Sequence, residues 1–222
     1  MKYTHIFFDI DNTLFDFLPA ETHAFYRTME SVGLGRKPRL FAQYRRKNLA
    51  LWEDYDVERI QNERFNLPFL AQCGVSPRAL NDRFLGYLSQ HAALLDGAEE
   101  VCRQLSQHAL LIAATNGFQA VQSQRMAGSA LAPYFAAVIS SEAVGCPKPG
   151  AAYFDAAFQL AHCADPTRAL MVGDSLRADI QGAANVGMDA CWVNPQRLPA
   201  PANLSIRYQV QALTELPALL GL

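Results

Sequence analysis

The chain has 222 residues, half of them apolar, and a formal net charge of −2. That is enough for one well-filled core with a smaller domain attached, and it supplies neither the positive field of a nucleic-acid binder nor a polybasic membrane anchor. The first residues enter a strand pattern without a basic n-region and cleavable apolar h-region, so no secretory leader is expected, and no apolar run is long enough to span a bilayer. Five scattered cysteines (Cys73, Cys102, Cys146, Cys163 and Cys191) form no C-x-x-C pair. Reduced thiols of this kind point to the cytoplasm, with no disulfide frame and no thiolate zinc site.

In chain order, residues 3–8 read as a buried strand that ends abruptly in Asp9 and Asp11. Side chains two apart in an extended chain lie on the same side, so these carboxylates share a direction. Unpaired, they would be costly to shield from water. Residues 19 to 91 then follow a helical period. The spacing predicts one helix from Pro19 to the Gly33/Gly35 break and a second after Pro38. A third is expected from Val57 through Ile60, Phe65 and Leu67, bent at Pro68, and a fourth with Ser76 as N-cap and Pro77 at the first helical position. From Asp96 helices and strands alternate. Helices are expected through Leu105, over 119–127, after Lys148-Pro149-Gly150, from Ser175 to about Val186, and near 214–220. Strands are expected at 109–114, 136–139, 169–172, 190–193 and 206–210. Strands that are apolar throughout and alternate with helices imply an α/β fold, a doubly wound parallel sheet covered on both faces. The expected division is an α/β catalytic core of residues 1–15 and 93–222 with a helical cap domain of residues 16–92.

Three strands end in polar punctuation: Asp9/Asp11, Thr115/Asn116 and Gly173/Asp174. An open parallel sheet presents all its strand carboxyl ends on one edge, so these clusters are expected to meet there, with Lys148 arriving from a neighbouring loop. Carboxylates, a hydroxyl, an ammonium and turns with free amides are the equipment of phosphoryl transfer.

Asp9-x-Asp11-x-Thr13, Thr115, Lys148-Pro149 and Gly173-Asp174-Ser175-x-x-x-Asp179 stand in the order of the four motifs of the haloacid dehalogenase superfamily, which the chain resembles over nearly its whole length. The helical insert after the first motif resembles that superfamily's first cap type. Thr115-Asn116-Gly117-Phe118, Ser141-Glu142-x-Val144-Gly145 and Cys191-Trp192-Val193-Asn194 are similar to the bacterial pyrimidine 5′-nucleotidase branch. The resemblance implies strand order fifth-fourth-first-second-third. It implies that Asp9 attacks phosphorus and that Asp11 protonates the leaving oxygen and then activates water. It also implies Mg²⁺ held by Asp9, the Asp11 carbonyl and Asp174. Thr115 and Lys148 would grip the phosphoryl oxygens, with the Asn116 and Gly117 amides nearby. Ser175 and Asp179 would stand one layer back, Asp179 orienting Lys148 or a metal-bound water.

The expected activity is Mg²⁺-dependent hydrolysis of a small phosphorylated metabolite, a nucleoside 5′-monophosphate, with the cap closing over it. Dehalogenation of a 2-haloacid on the same fold needs neither Mg²⁺ nor Asp11. A phosphatase or mutase acting on phosphoglycolate or sugar phosphates keeps every one of these residues, and a binding module without catalysis would be expected to lose at least one. The basic run Arg36, Lys37, Arg39, Arg45, Arg46 and Lys47 reads as a solvated helix face. Phe15, Phe17, Tyr26, Tyr44, Trp52 and Phe65 are expected to be mostly cap core, one or two of them reaching a base. Monomer and homodimer are both compatible with the sequence.

Overall fold

The computed structural model describes residues 2–204 and 206–222. The chain divides into two compact units, Met1–Phe17 with Ala92–Leu222, and Leu18–His91. The expected divisions fell after residues 15 and 92. Among the described residues no helix is long and apolar enough to cross a membrane.

The helical unit is built from α1 (Phe17–Glu30), α2 (Pro38–Asp54), α3 (Val57–Glu63) and α4 (Pro77–Leu88). Its centre is aromatic. Phe25 lies 4.8 Å from Tyr44 between ring centroids, Tyr44 lies 5.2 Å from Phe65, and Phe65 lies 5.5 Å from Phe84. Tyr44 and Phe65 are therefore core residues, as is Phe15 in the other unit. The third helix is shorter than its apolar spacing suggested. Pro68 lacks an N–H and holds Leu67 extended, so the chain restarts there as a 3₁₀ turn over Pro68–Cys73. Ser76 caps α4, its hydroxyl accepting from the Ala79 amide at 3.2 Å. The basic run is not uniformly solvated: Arg36, Lys37, Arg39 and Arg46 are exposed, but Arg45 pairs with the buried Glu21 at 3.1 Å.

In the α/β unit, β1 (His5–Phe8), β2 (Leu110–Thr115), β3 (Phe135–Ser140), β4 (Ala169–Gly173), β5 (Asp189–Val193) and β6 (Tyr208–Val210) form one sheet of order β3-β2-β1-β4-β5-β6. Every pairing is parallel. This is the expected order with β6 added beyond β5. Alternation along each strand feeds two opposite cores. Ile6, Phe8, Leu111, Val172 and Cys191 pack with α5 (Ala98–Leu105), and Phe7, Ile112, Met171 and Trp192 pack on the other side. The remaining helices are α6 (Gln119–Ala127), α7 (Ser141–Val144), α8 (Ala151–Leu160), α9 (Gly182–Asn185) and α10 (Leu216–Leu219). The helix expected from Ser175 to Val186 is two pieces, a π-helical turn over Leu176–Gln181 followed by α9. In the wide turn the amides of both Asp179 and Ile180 reach the Ser175 carbonyl, at 3.0 and 3.2 Å.

Gly182 begins α9 against α8. A Cβ there would stand 2.7 Å from Phe154 Cζ and 3.2 Å from Pro149 Cα. Alanine gains about 1 kcal/mol of helix propensity over glycine, but forcing a methyl into this contact costs about 1–3 kcal/mol. Gly182→Ala is expected to lower the free energy of urea unfolding; a gain would mean that Phe154 yields freely.

Candidate active site

Each strand-end cluster is built by local rules. Asp9 continues the β1 ladder by one bond, its amide donating to the Val172 carbonyl at 2.8 Å. The chain then turns sharply. Asn12 takes φ +63°, a left-handed conformation asparagine tolerates, and the Leu14 and Phe15 amides return to the Ile10 carbonyl at 2.9 Å. Gly173 ends β4 where a Cβ would fall on the Asp179 carboxylate, so the glycine makes room for that acid. Ser175 caps the π-helical turn through its hydroxyl, which accepts from the Ala178 amide, while its own amide donates to Asp179 Oδ2 at 3.1 Å.

Lys148 is the hub. Its ammonium, 1% exposed, donates to Asp9 Oδ1 at 2.7 Å, to Asp179 Oδ1 at 2.6 Å and to the Ala114 carbonyl at 2.7 Å. These are the three donors an ammonium has. Asn116 fixes the backbone beneath it: its side-chain oxygen accepts from the Lys148 amide at 2.8 Å and its side-chain nitrogen donates to the Lys148 carbonyl at 3.0 Å. The Lys148–Pro149 peptide is cis.

The Asp9, Asp174 and Asp179 carboxylates offer oxygens that all lie within 4.8 Å of one another. Both Asp179 oxygens already accept, from Lys148 and the Ser175 amide, which makes Asp179 the support of the lysine. Three acids around one ammonium leave excess negative charge in a poorly hydrated place. Burial holds the Asp9 carboxyl well above the usual range, with Lys148 opposing and Asp179 and Asp174 adding to the rise. Asp174 is pushed up to about 7, first by burial and then by Asp179. Burial alone would lower the Lys148 ammonium, but Asp179 and Asp9 outweigh it and keep the lysine charged. Hard oxygen donors with unrelieved negative charge fit a small divalent cation such as Mg²⁺.

Asp11 points to a second group of bonds. Arg125 donates to its Oδ1 at 2.5 Å and Gln122 to its Oδ2 at 2.7 Å. Gln122 also reaches the Thr115 hydroxyl at 3.4 Å, which accepts from the Gly117 amide at 3.0 Å. The Gly117 amide expected near a phosphoryl oxygen is thus turned toward Thr115. The structure brings Asp9, Asp11, Thr115, Asn116, Gly117, Lys148, Asp174, Ser175 and Asp179 together at one sheet edge. Gln122 and Arg125 were missed by sequence reasoning. The signal available was an i, i+3 polar pair lying with Val121 and Met126 on the buried face of α6. Trp192 was missed too; its indole N–H donates to the Asp174 carbonyl at 3.0 Å.

Known proteins resemble this chain over most of its length. The family model described as hydrolase, haloacid dehalogenase-like hydrolase, matches residues 3–187. The chain is 34% identical to pyrimidine 5′-nucleotidase PynA of Streptococcus pneumoniae, over 97% of this chain and 94% of that protein. It is 33% identical to pyrimidine 5′-nucleotidase YjjG of Escherichia coli, over 99% of both. The crystal structure of the HAD-hydrolase YfnB of Bacillus subtilis bound to magnesium superposes with a TM-score of 0.90 at 30% identity, covering all of both chains. The convergence of the four motif clusters on one edge and this full-length similarity have a single explanation: the chain belongs to the haloacid dehalogenase-like hydrolase family.

Proposed function

We propose that the protein is a Mg²⁺-dependent phosphomonoester hydrolase that works through an aspartyl-phosphate on Asp9, and that its substrate is a pyrimidine nucleoside 5′-monophosphate. The observation that carries the chemistry is the buried Lys148 ammonium joined to Asp9 and Asp179, with Asp174 beside them. The nucleotide assignment draws on the two nucleotidases that match almost end to end.

Asp9 Oδ2 is the nucleophile, since Oδ1 is held by Lys148. As its bond to phosphorus forms, the phosphorus–oxygen bond to the nucleoside breaks, and the proton on Asp11 passes to the leaving 5′-oxygen. In the second half Asp11 takes a proton from water, whose oxygen bonds phosphorus as the bond to Asp9 breaks. Thr115 retains its O–H to donate to a phosphoryl oxygen, and Lys148 holds positive charge at the same place. The Asp9 and Asp174 carboxylates, with the Asp11 carbonyl, would hold Mg²⁺. When bound, that ion supplies charge that offsets the repulsion between the phosphoryl group and the acids. Asn116 acts by fixing the lysine backbone. In this reading the α/β unit performs the chemistry, the Leu18–His91 unit selects the substrate, and the enzyme works in the cytoplasm on a free metabolite.

The test is a Mg²⁺-supplemented phosphate-release screen across uridine, cytidine and thymidine 5′-monophosphates, phosphoglycolate and sugar phosphates. The expected result is highest kcat/KM on the pyrimidine nucleotides. Preference for phosphoglycolate, or metal-free chloride release from 2-chloropropionate, would replace this reading. In the same assay Asp9→Asn should lose about three orders of magnitude or more of turnover while its thermal midpoint stays close to wild type.

Stability should report the cation as well. The folded Asp174 carboxyl titrates at about 7 against an ordinary 3.8, so between those values the folded state binds more protons than the unfolded one. That contribution to stability is full at low pH and is lost as pH climbs toward 7. Mg²⁺ competes with the proton, so its addition should raise Tm more at pH 8 than at pH 5. An equal rise at both would place the ion elsewhere.

A further inference from the structure

We propose that Arg125 and Gln122 are positioning residues that fix the carboxyl of Asp11 for proton transfer, an inference that rests on Asp11 being the acid and base of the reaction proposed above. Arg125 is fully buried and Gln122 is 2% exposed, while the Asp11 side chain keeps 26% of its surface open. Each Asp11 oxygen has its own donor, Arg125 on Oδ1 and Gln122 on Oδ2. The triangle closes on itself, because Arg125 also donates to Gln122 Oε1 at 2.9 Å. A carboxylate only accepts and a guanidinium only donates, so the direction of the Gln122 amide follows from chemistry.

Two donors on two different oxygens remove the rotation a carboxyl otherwise has about its terminal bond. An ionised carboxylate offers roughly four lone-pair sites, so the clamp leaves others for the travelling proton. Arg125 is itself held, with its guanidinium 4.8 Å from the Phe15 ring centroid and 6.0 Å from that of Phe17. Both rings follow Asp11 closely in the chain, so the turn that carries the acid also seats the group that orients it. Burying a guanidinium is costly, and a partner less exposed than Asp11 would satisfy it at smaller loss to solvent screening. Its position on an acid that stays open to solvent is what a device for holding that acid would need. The Gln122 contact with Thr115 links the clamp to the phosphate side of the site.

Proton delivery matters in proportion to the basicity of the leaving oxygen. The alkoxide of a nucleoside needs it, whereas 4-nitrophenolate leaves readily without it. The experiment compares kcat/KM, which reports the phosphoryl-enzyme-forming half, for uridine 5′-monophosphate and 4-nitrophenyl phosphate. Asp11→Asn, Arg125→Met, Arg125→Lys and Gln122→Met are measured with Mg²⁺ on the full chain. The expected loss for Arg125→Met is about 30-fold or more on the nucleotide and under about threefold on the aryl ester, with Arg125→Lys recovering part of it. Gln122→Met removes one donor without leaving a buried charge and should show the same bias, more weakly; it carries the test if Arg125→Met does not fold. Equal losses on both substrates, or none, in the Arg125 and Gln122 variants while Asp11→Asn is selective would overturn the clamp alone. An Asp11→Asn variant with no selectivity would overturn the role of Asp11 and the clamp with it.

Discussion

One buried ammonium organises the α/β unit. Lys148 is surrounded by two carboxylates and a carbonyl, all within 2.7 Å of its nitrogen. A buried charge is tolerable only when paired and fully hydrogen-bonded, and a buried acid likewise. Each of these groups is therefore the condition for the others to be there. The Ala114 carbonyl comes from β2, Asp9 from the end of β1 and Asp179 from the turn after β4, so the lysine joins three neighbouring strands at their functional ends.

The supporting layer follows from that demand. Gly173 carries no Cβ because Asp179 occupies the space, and the wide turn over Leu176–Gln181 brings that acid back to the Ser175 amide. Asn116, the residue after β2, holds the lysine's peptide groups. Asp11 belongs to a separate group of bonds with Gln122 and Arg125. Asp9 and Asp11 thus sit two residues apart yet have different partners, which is the separation of environments that the proposed division of nucleophile and proton carrier requires.

Much of this was legible in the sequence, for identifiable reasons. Short apolar runs such as Leu111–Ala114, bounded by turn residues and alternating with helical segments, read as strands buried on both faces, and parallel strands gather their ends on one edge. Asp9, Asp174 and Lys148 could thus be placed together from 139 and 165 residues apart in numbering without any distance in hand. What escaped was whatever depends on side-chain direction. Asn116 contributes its amide group to the lysine backbone, which no spacing reveals. Arg125 lies on the buried face of α6, where charge is ordinarily excluded, and its partner Asp11 is 114 residues away. The break of the last long helix into a π-helical turn and α9 depends on a contact between Asp179 and Ser175 that apolar periodicity does not encode.

Trp192 has a consequence of a different kind. Of the chain's two tryptophans, Trp52 lies in the helical unit and Trp192 in the α/β unit, its indole 2% exposed and bonded to the backbone of Asp174. Indole emission responds to nearby electric fields. The molecule therefore carries an intrinsic fluorophore bonded to the backbone of a member of the acidic cluster, in place without label or dye.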